Sequence, residues 1–223
     1  MRDVTTVSGV IISSTPIGEY DRRVVILTRE LGKISCFARG GRRPTSKLIA
    51  SGRNFIFANF NIYEGKSAYI LQDIFIVKSF DEITKDYNTL IYVYYFAEIA
   101  EYFGREGMNA TDSVNLLYVA FNALLDEKLD NDTVKAAFEI RTLANEGLLN
   151  DIPDRAHADR ALINAFDKSA SDNVLTMFGF ILNEPARTEF IKLADKMMTE
   201  SVDRKIKSRG LLMNGNWFDD GNK

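Results

Sequence analysis

Arg23-Val24-Val25-Ile26-Leu27-Thr28 and Lys33-Ile34-Ser35-Cys36-Phe37-Ala38 flank the turn residues Glu30-Leu31-Gly32-Lys33, and this stretch decides the fold. Each run is rich in β-branched residues, which crowd a helix and suit a pleated strand, and a glycine-containing turn between two such runs reads as a hairpin. Upstream, Val7-Ser8-Gly9-Val10-Ile11-Ile12 reads as a further strand. Downstream, in Phe55–Glu64, the polar Asn59 and Asn61 alternate with Ala58, Phe60 and Ile62, the period-two sign of a strand with one wet face. Glu64-Gly65-Lys66 then turns the chain into a fifth strand, Tyr69–Val77. Five strands separated by turns within the first 80 residues suggest a small antiparallel barrel of the OB-fold type, with an SH3-like barrel as the structural competitor.

Beyond Phe80 the period changes. Ile83, Tyr87, Leu90, Ile91 and Tyr94 recur at three- and four-residue steps, and the segment to Phe103 is apolar almost all round, which predicts a central helix buried in a bundle. Gly104 and Gly107 close it. Thr111-Asp112-Ser113 caps a helix through Leu125, and Asp130-Asn131-Asp132-Thr133 caps another that runs to about Asn145 and ends at Gly147. Further helices are expected over Ala158–Lys168, Asp172–Leu182 and Pro185 to about Lys207. The fold class is thus α+β: an N-terminal five-stranded barrel domain, residues 1–80, followed by an α-helical bundle domain, residues 81–223.

The 223 residues are 46% hydrophobic and 26% charged, which excludes a disordered, collagen-like or disulfide-scaffold chain. The longest apolar run, Leu90–Ala97, is far shorter than the ~20 residues a bilayer-spanning helix requires, so no membrane association is expected. Met1–Val7 has an early acid and β-branched residues where a secretory signal has a basic stretch and an apolar core, and the expected location is cytoplasmic. Cys36 and His157 are the single cysteine and histidine. They cannot supply a disulfide or a cysteine zinc cage, and no catalytic residue or cofactor is assigned.

Charge is uneven. Up to residue 80 there are 12 Lys and Arg against 6 Asp and Glu; beyond it there are 16 against 25. A basic barrel on an otherwise acidic chain points to a polyanion partner, because the field at a surface follows local charge. The densest basic stretch is Arg39-Gly40-Gly41-Arg42-Arg43-Pro44-Thr45-Ser46-Lys47, extended to Arg53, without an acid. Arginine forks match phosphate oxygens, and adjacent glycines can bring backbone N–H groups close to an anion. The stretch lacks the Gly-Lys-Ser/Thr ending of a nucleotide-triphosphate loop, and Pro44 removes a donor, so a Walker site is rejected. A solvated surface loop is the plainer reading of the same residues.

Upstream lies a turn of mixed charge, Gly18-Glu19-Tyr20-Asp21-Arg22-Arg23, in which Asp21 is expected to pair with an arginine and Tyr20 to pack rather than stack on a base. The candidate DNA-binding residues are Arg22, Arg39, Arg42, Arg43, Lys47 and Arg53. A second basic island, Arg204, Lys205, Lys207 and Arg209, is expected at the end of the last helix, where cations also offset the helix dipole. Leu211, Leu212 and Met213 follow it. Lys205, Lys207 and Arg209 are the candidate peptide-binding residues, for an acidic peptide with an apolar end. Glu98 and Glu101 read as a solvated helix edge.

The order of Gly18-Glu19-Tyr20-Asp21-Arg22, Leu27–Ser35 and Ala38-Arg39-Gly40-Gly41-Arg42-Arg43-Pro44, continued by Tyr63-Glu64-Gly65, Tyr95-Phe96-Ala97-Glu98-Ile99 and Lys207-Ser208-Arg209, resembles the bacterial RecO recombination mediators. The resemblance is dense in residues 1–80 and thin beyond 110. It implies a DNA-binding OB-fold, a helical C-terminal domain, and a nucleoid-associated role in annealing strands and displacing single-strand-binding protein so that recombinase can load. The implied partners are single- and double-stranded DNA, RecR and the acidic tail of single-strand-binding protein. Many members carry a four-cysteine zinc element after the stretch corresponding to Gly147–Pro153. Here Asp154-Arg155-Ala156-His157-Ala158-Asp159 contains no cysteine, so the zinc element is expected to be lost and His157 to be a surface or capping residue. Two other classes stay open: an enzyme on a phosphorylated small molecule, which lacks a visible base or metal ligand, and a protein-interaction scaffold that uses the acidic helical half.

Overall fold

A computed structural model describes residues 3–150, 153–171 and 173–213, with the side chain of Met213 outside the description. Five strands, β1 (Val4–Ile17), β2 (Asp21–Thr28), β3 (Gly32–Ala38), β4 (Phe57–Glu64) and β5 (Tyr69–Lys78), close into a barrel in the order β1-β2-β3-β5-β4. All pairings are antiparallel except β3 with β5. This is the OB-fold, and closure leaves no sheet edge to pair with another chain. β1 is far longer than the predicted Val7–Ile12 because it works twice. Its first half pairs with β4 and its second with β2, and an irregularity between Ile11 and Ser13 bends it from one partner to the other.

Strand alternation builds the core. Val7, Ile11, Val24, Ile26, Ile34, Cys36, Phe60, Ile62 and Leu71 point inward as one buried cluster, each large apolar side chain contributing about 1.5–3 kcal/mol. β4 begins two residues later than predicted, since Phe55 has φ 65° and the backbone there bonds to Ile11 instead of continuing the ladder.

The same compact unit takes in residues 100–114. That segment returns to the β2–β3 turn: Lys33 N–H donates to the Arg105 carbonyl (3.2 Å), Gly107 N–H to Leu31 (2.9 Å) and Ala110 N–H to Arg29 (2.9 Å), while Lys33 Nζ donates to the Glu101 carbonyl at 2.6 Å. Gly32, at φ 66°, lies so close beneath it that a Cβ would stand 2.0 Å from the Arg105 oxygen.

The second unit comprises residues 82–99 and those from 115 onward. Its helices derive from α1 (Tyr87–Phe103), α2 (Thr111–Ala123), α3 (Asn131–Asn145), α4 (Arg160–Ala170), α5 (Glu184–Ser201) and α6 (Lys207–Met213), the last four residues of α1 and the start of α2 falling in the barrel unit. The expected cap at Asp130 is in place, and Asp159 and Asn183, which sequence reading did not single out, likewise accept a first-turn N–H. Two helix predictions are corrected. Asn173–Leu182 forms turns, not a helix, and Asp172, its expected start, lies outside the described residues. There the Asn173 side chain accepts from Leu175 N–H and Gly179 closes a turn on Thr176; Met177 is buried and Phe180 lies edge-on to Phe190, while Leu175 and Ile181 stay exposed. The last predicted helix stops at Ser201, and α6 begins after a non-helical stretch.

The most deeply buried helix of this unit is α3, not α1, with every residue from Val134 to Leu143 inside. Its burial was hidden by charge. Lys135 and Glu139 pair at 2.8 Å, Lys135 also reaches Asp195 of α5 at 3.4 Å, and Tyr95 donates its hydroxyl to Glu139. Burial drives the Glu139 carboxyl above its ordinary value, with Lys135 opposing. Phe96 stacks on Phe138 at 4.1 Å between centroids.

Candidate nucleic-acid interface

Two turns at one end of the barrel are stapled together. The first, Gly18-Glu19-Tyr20, joins β1 to β2, and the second begins where β3 ends at Ala38. Arg42 N–H donates to the Tyr20 carbonyl at 2.9 Å, Arg42 Nη1 to the Gly18 carbonyl at 2.8 Å, and Gly40 N–H to Asp21 Oδ1 at 2.7 Å. The Arg43 guanidinium lies over the Tyr20 ring, 4.8 Å from its centroid. Gly40 sits at φ 67°, a conformation that suits a residue without Cβ.

Three expectations are corrected by this arrangement. Asp21 serves a backbone N–H rather than an arginine. The glycine pair offers no cradle for an external anion, because Gly40 N–H is held by the Asp21 carboxylate and Gly41 N–H by the Ala38 carbonyl at 3.2 Å. Tyr20 is not packed: it is 44% exposed.

The six candidate cations differ in availability. Arg39, Arg42 and Arg43 are exposed in the second turn. Lys47 is also exposed but pairs with Asp73 of β5 at 2.5 Å. Arg53 pairs with Asp81 and donates to Ser79 Oγ at 2.8 Å. Arg22 is half-buried in β2, its guanidinium against Gly52, where a Cβ would meet Cζ at 2.9 Å, with Nη1 3.5 Å from Ser14 Oγ. The structure therefore brings Arg39, Arg42 and Arg43 together with Tyr20, and draws Lys47 and Arg53 onto acids more than twenty residues away in sequence. Sequence reading missed the exposure of the Tyr20 ring, and also Phe75, Ile76 and Val77, which β5 leaves open to solvent. Only the turn composition around Tyr20 hinted at the first.

The second basic island straddles the break between α5 and α6, not a helix end. Lys205 and Lys207 are exposed. Arg209 is half-buried and pairs with Asp195 at 2.7 Å, and Leu211 and Leu212 are half-buried. Glu98 is no solvated edge: its carboxylate accepts from Lys207 N–H (2.9 Å), Ser208 N–H (2.9 Å) and Ser208 Oγ (2.6 Å). Burial opposes its ionisation, yet these bonds override it and hold the carboxyl below its ordinary value. His157 lies at the surface, its Nδ1 2.7 Å from Asp154 Oδ2. Among the described residues, no helix is long and apolar enough to cross a membrane.

The sequence model of the family described as "Recombination protein O N terminal" matches residues 1–80. DNA repair protein RecO of Clostridium acetobutylicum is 34% identical over 139 residues, 62% of this chain and 56% of that protein. The RecO protein of Clostridium kluyveri is 23% identical across 92% of this chain and 91% of its own length, and that of Acetivibrio thermocellus is 32% identical over 63% of this chain and 56% of its own. In the first and third of these alignments the chain spans little more than half the relative's length. Residues 1–80 thus match the RecO N-terminal family, and the chain as a whole is similar to the RecO DNA repair proteins.

Proposed function

We infer that this RecO relative is a non-catalytic mediator of DNA repair that binds single- and double-stranded DNA through its barrel. The observation that carries the reading is the stapled turn pair, which leaves Arg39, Arg42 and Arg43 exposed at the barrel end without an acid paired to any of them among the described contacts. Arginines on a turn, with no helix to enter a groove, contact phosphates and read no bases, so binding is insensitive to sequence. Neutralising the phosphates of two strands on one surface lowers their mutual repulsion, which is the physical requirement for annealing.

The wider role follows from the family resemblance: annealing complementary strands, displacing single-strand-binding protein and helping recombinase load, together with RecR. For the acidic tail of single-strand-binding protein, Lys205 and Lys207 are the exposed cations of the second island, with Arg209 tied to Asp195. The test is fluorescence anisotropy with a labelled single strand and a labelled duplex. An Arg42→Ala/Arg43→Ala variant with an unchanged melting temperature is expected to weaken both. Wild-type affinity in that variant removes the turn pair from DNA binding.

A further inference from the structure

An exposed aromatic ring on an immobilised backbone is an unusual element for a basic turn, and phosphate binding has no use for it. Tyr20 has that character. Hydrogen bonds fix the backbone on both sides of it, through the carbonyls of Gly18 and Tyr20 and the carboxylate of Asp21, while its ring remains 44% exposed. The geometry points to Tyr20 as a stacking platform for one unpaired nucleobase, a reading that rests on the DNA binding proposed above and adds strand selectivity to it.

The ring face is known to accept a planar group, because the Arg43 guanidinium already lies on it, 4.8 Å from the centroid. A base is likewise flat and larger. An exposed cation–π contact is weaker than a base–aromatic stack, so exchange of guanidinium for base is favourable. Arg43 has a long flexible stem and, once displaced, moves to the phosphate beside that base. Arg39 and Arg42, exposed on the same turn, receive the neighbouring phosphates. A duplex keeps its bases in their own stack and cannot use the ring, so Tyr20 favours a single strand where the arginines alone do not discriminate.

The experiment compares three labelled probes of equal length: a mixed-sequence single strand, an abasic single strand and a blunt duplex. Tyr20→Ala is expected to weaken the single strand by roughly 5- to 30-fold and leave the other two within about twofold, with Tyr20→Phe restoring wild-type binding. Equal losses on all three probes, or no loss on the single strand, overturn the stacking site. Arg42→Ala/Arg43→Ala is run in parallel. If it weakens all three probes while Tyr20→Ala leaves the single strand unchanged, only the stacking inference falls. If it too binds as wild type, the DNA-binding reading falls and the stacking site with it.

Discussion

Removing the acid that holds Lys47 should make DNA binding tighter and more sensitive to salt. Each phosphate neutralised on a single strand releases counterions and contributes about −0.7 to the slope of log affinity against log salt. If all six candidate cations met phosphates, the slope would be about −4 and affinity would fall roughly 300-fold between about 50 and 200 mM salt. The structure leaves three exposed without an acid, Arg39, Arg42 and Arg43, and places Lys47 and Arg53 against Asp73 and Asp81. Three contacts give a slope of about −2 and a loss of roughly 20-fold over the same range. Asp73 is three-quarters buried and Lys47 mostly exposed, so Asp73→Asn frees a cation without opening the core, and the slope should steepen by about 0.7. The assay is anisotropy with a labelled single strand at four or five salt concentrations, with melting temperatures recorded for each variant. A wild-type slope near −4, or an Asp73→Asn slope equal to wild type, would refute the accounting by ion pairs.

Other perturbations test the scaffold. Gly32→Ala forces a Cβ to within 2.0 Å of the Arg105 carbonyl at a left-handed φ, and should destabilise the barrel unit by roughly 2–4 kcal/mol; an unchanged melting curve would mean that the segment moves aside freely. Glu98→Gln should loosen α6 by about 1 kcal/mol, discounted because the site is partly solvated. As the Glu98 carboxyl is held below its ordinary value of 4.5, its contribution is present above that value and lost as pH falls through the lowered one; hydrogen exchange of α6 amides against pH should follow this sign in wild type and not in the variant. The Cys36 thiol, pushed up to about 12 by burial first and Glu106 second, should resist a maleimide at about pH 8 in the folded protein and react on unfolding.

Legibility followed the range over which the deciding contacts act. Period-two alternation is local, so β3 and β4 could be placed within two residues, and the cap at Asp130 could be read from its own first turn. α3 could not be recognised as the most buried helix, because Lys135 and Glu139 look solvated until their partners Tyr95 and Asp195 arrive from other helices. Asn173–Leu182 has enough apolar residues for a helix, and Asn173 and Gly179 turned it otherwise by side-chain and backbone bonds within a few residues. At the candidate site the arginine-rich turn was visible as composition. Which of its cations stay available was not, since Asp73 and Asp81 come from β5 and the residues just after it.

The segment that pins the β2–β3 turn also sets a schedule for synthesis. The strands of the barrel are complete in sequence at Lys78, whereas the residues that bind Arg29, Leu31 and Lys33 lie between 101 and 110. At roughly 5–20 residues per second, they leave the ribosome about one to six seconds after the last strand. For that interval the nascent barrel can close its hydrogen-bond ring but not its β2–β3 corner, and the backbone groups there meet water. A ribosome stalled between the two points would hold a barrel with one loose corner, open to proteases at Gly32.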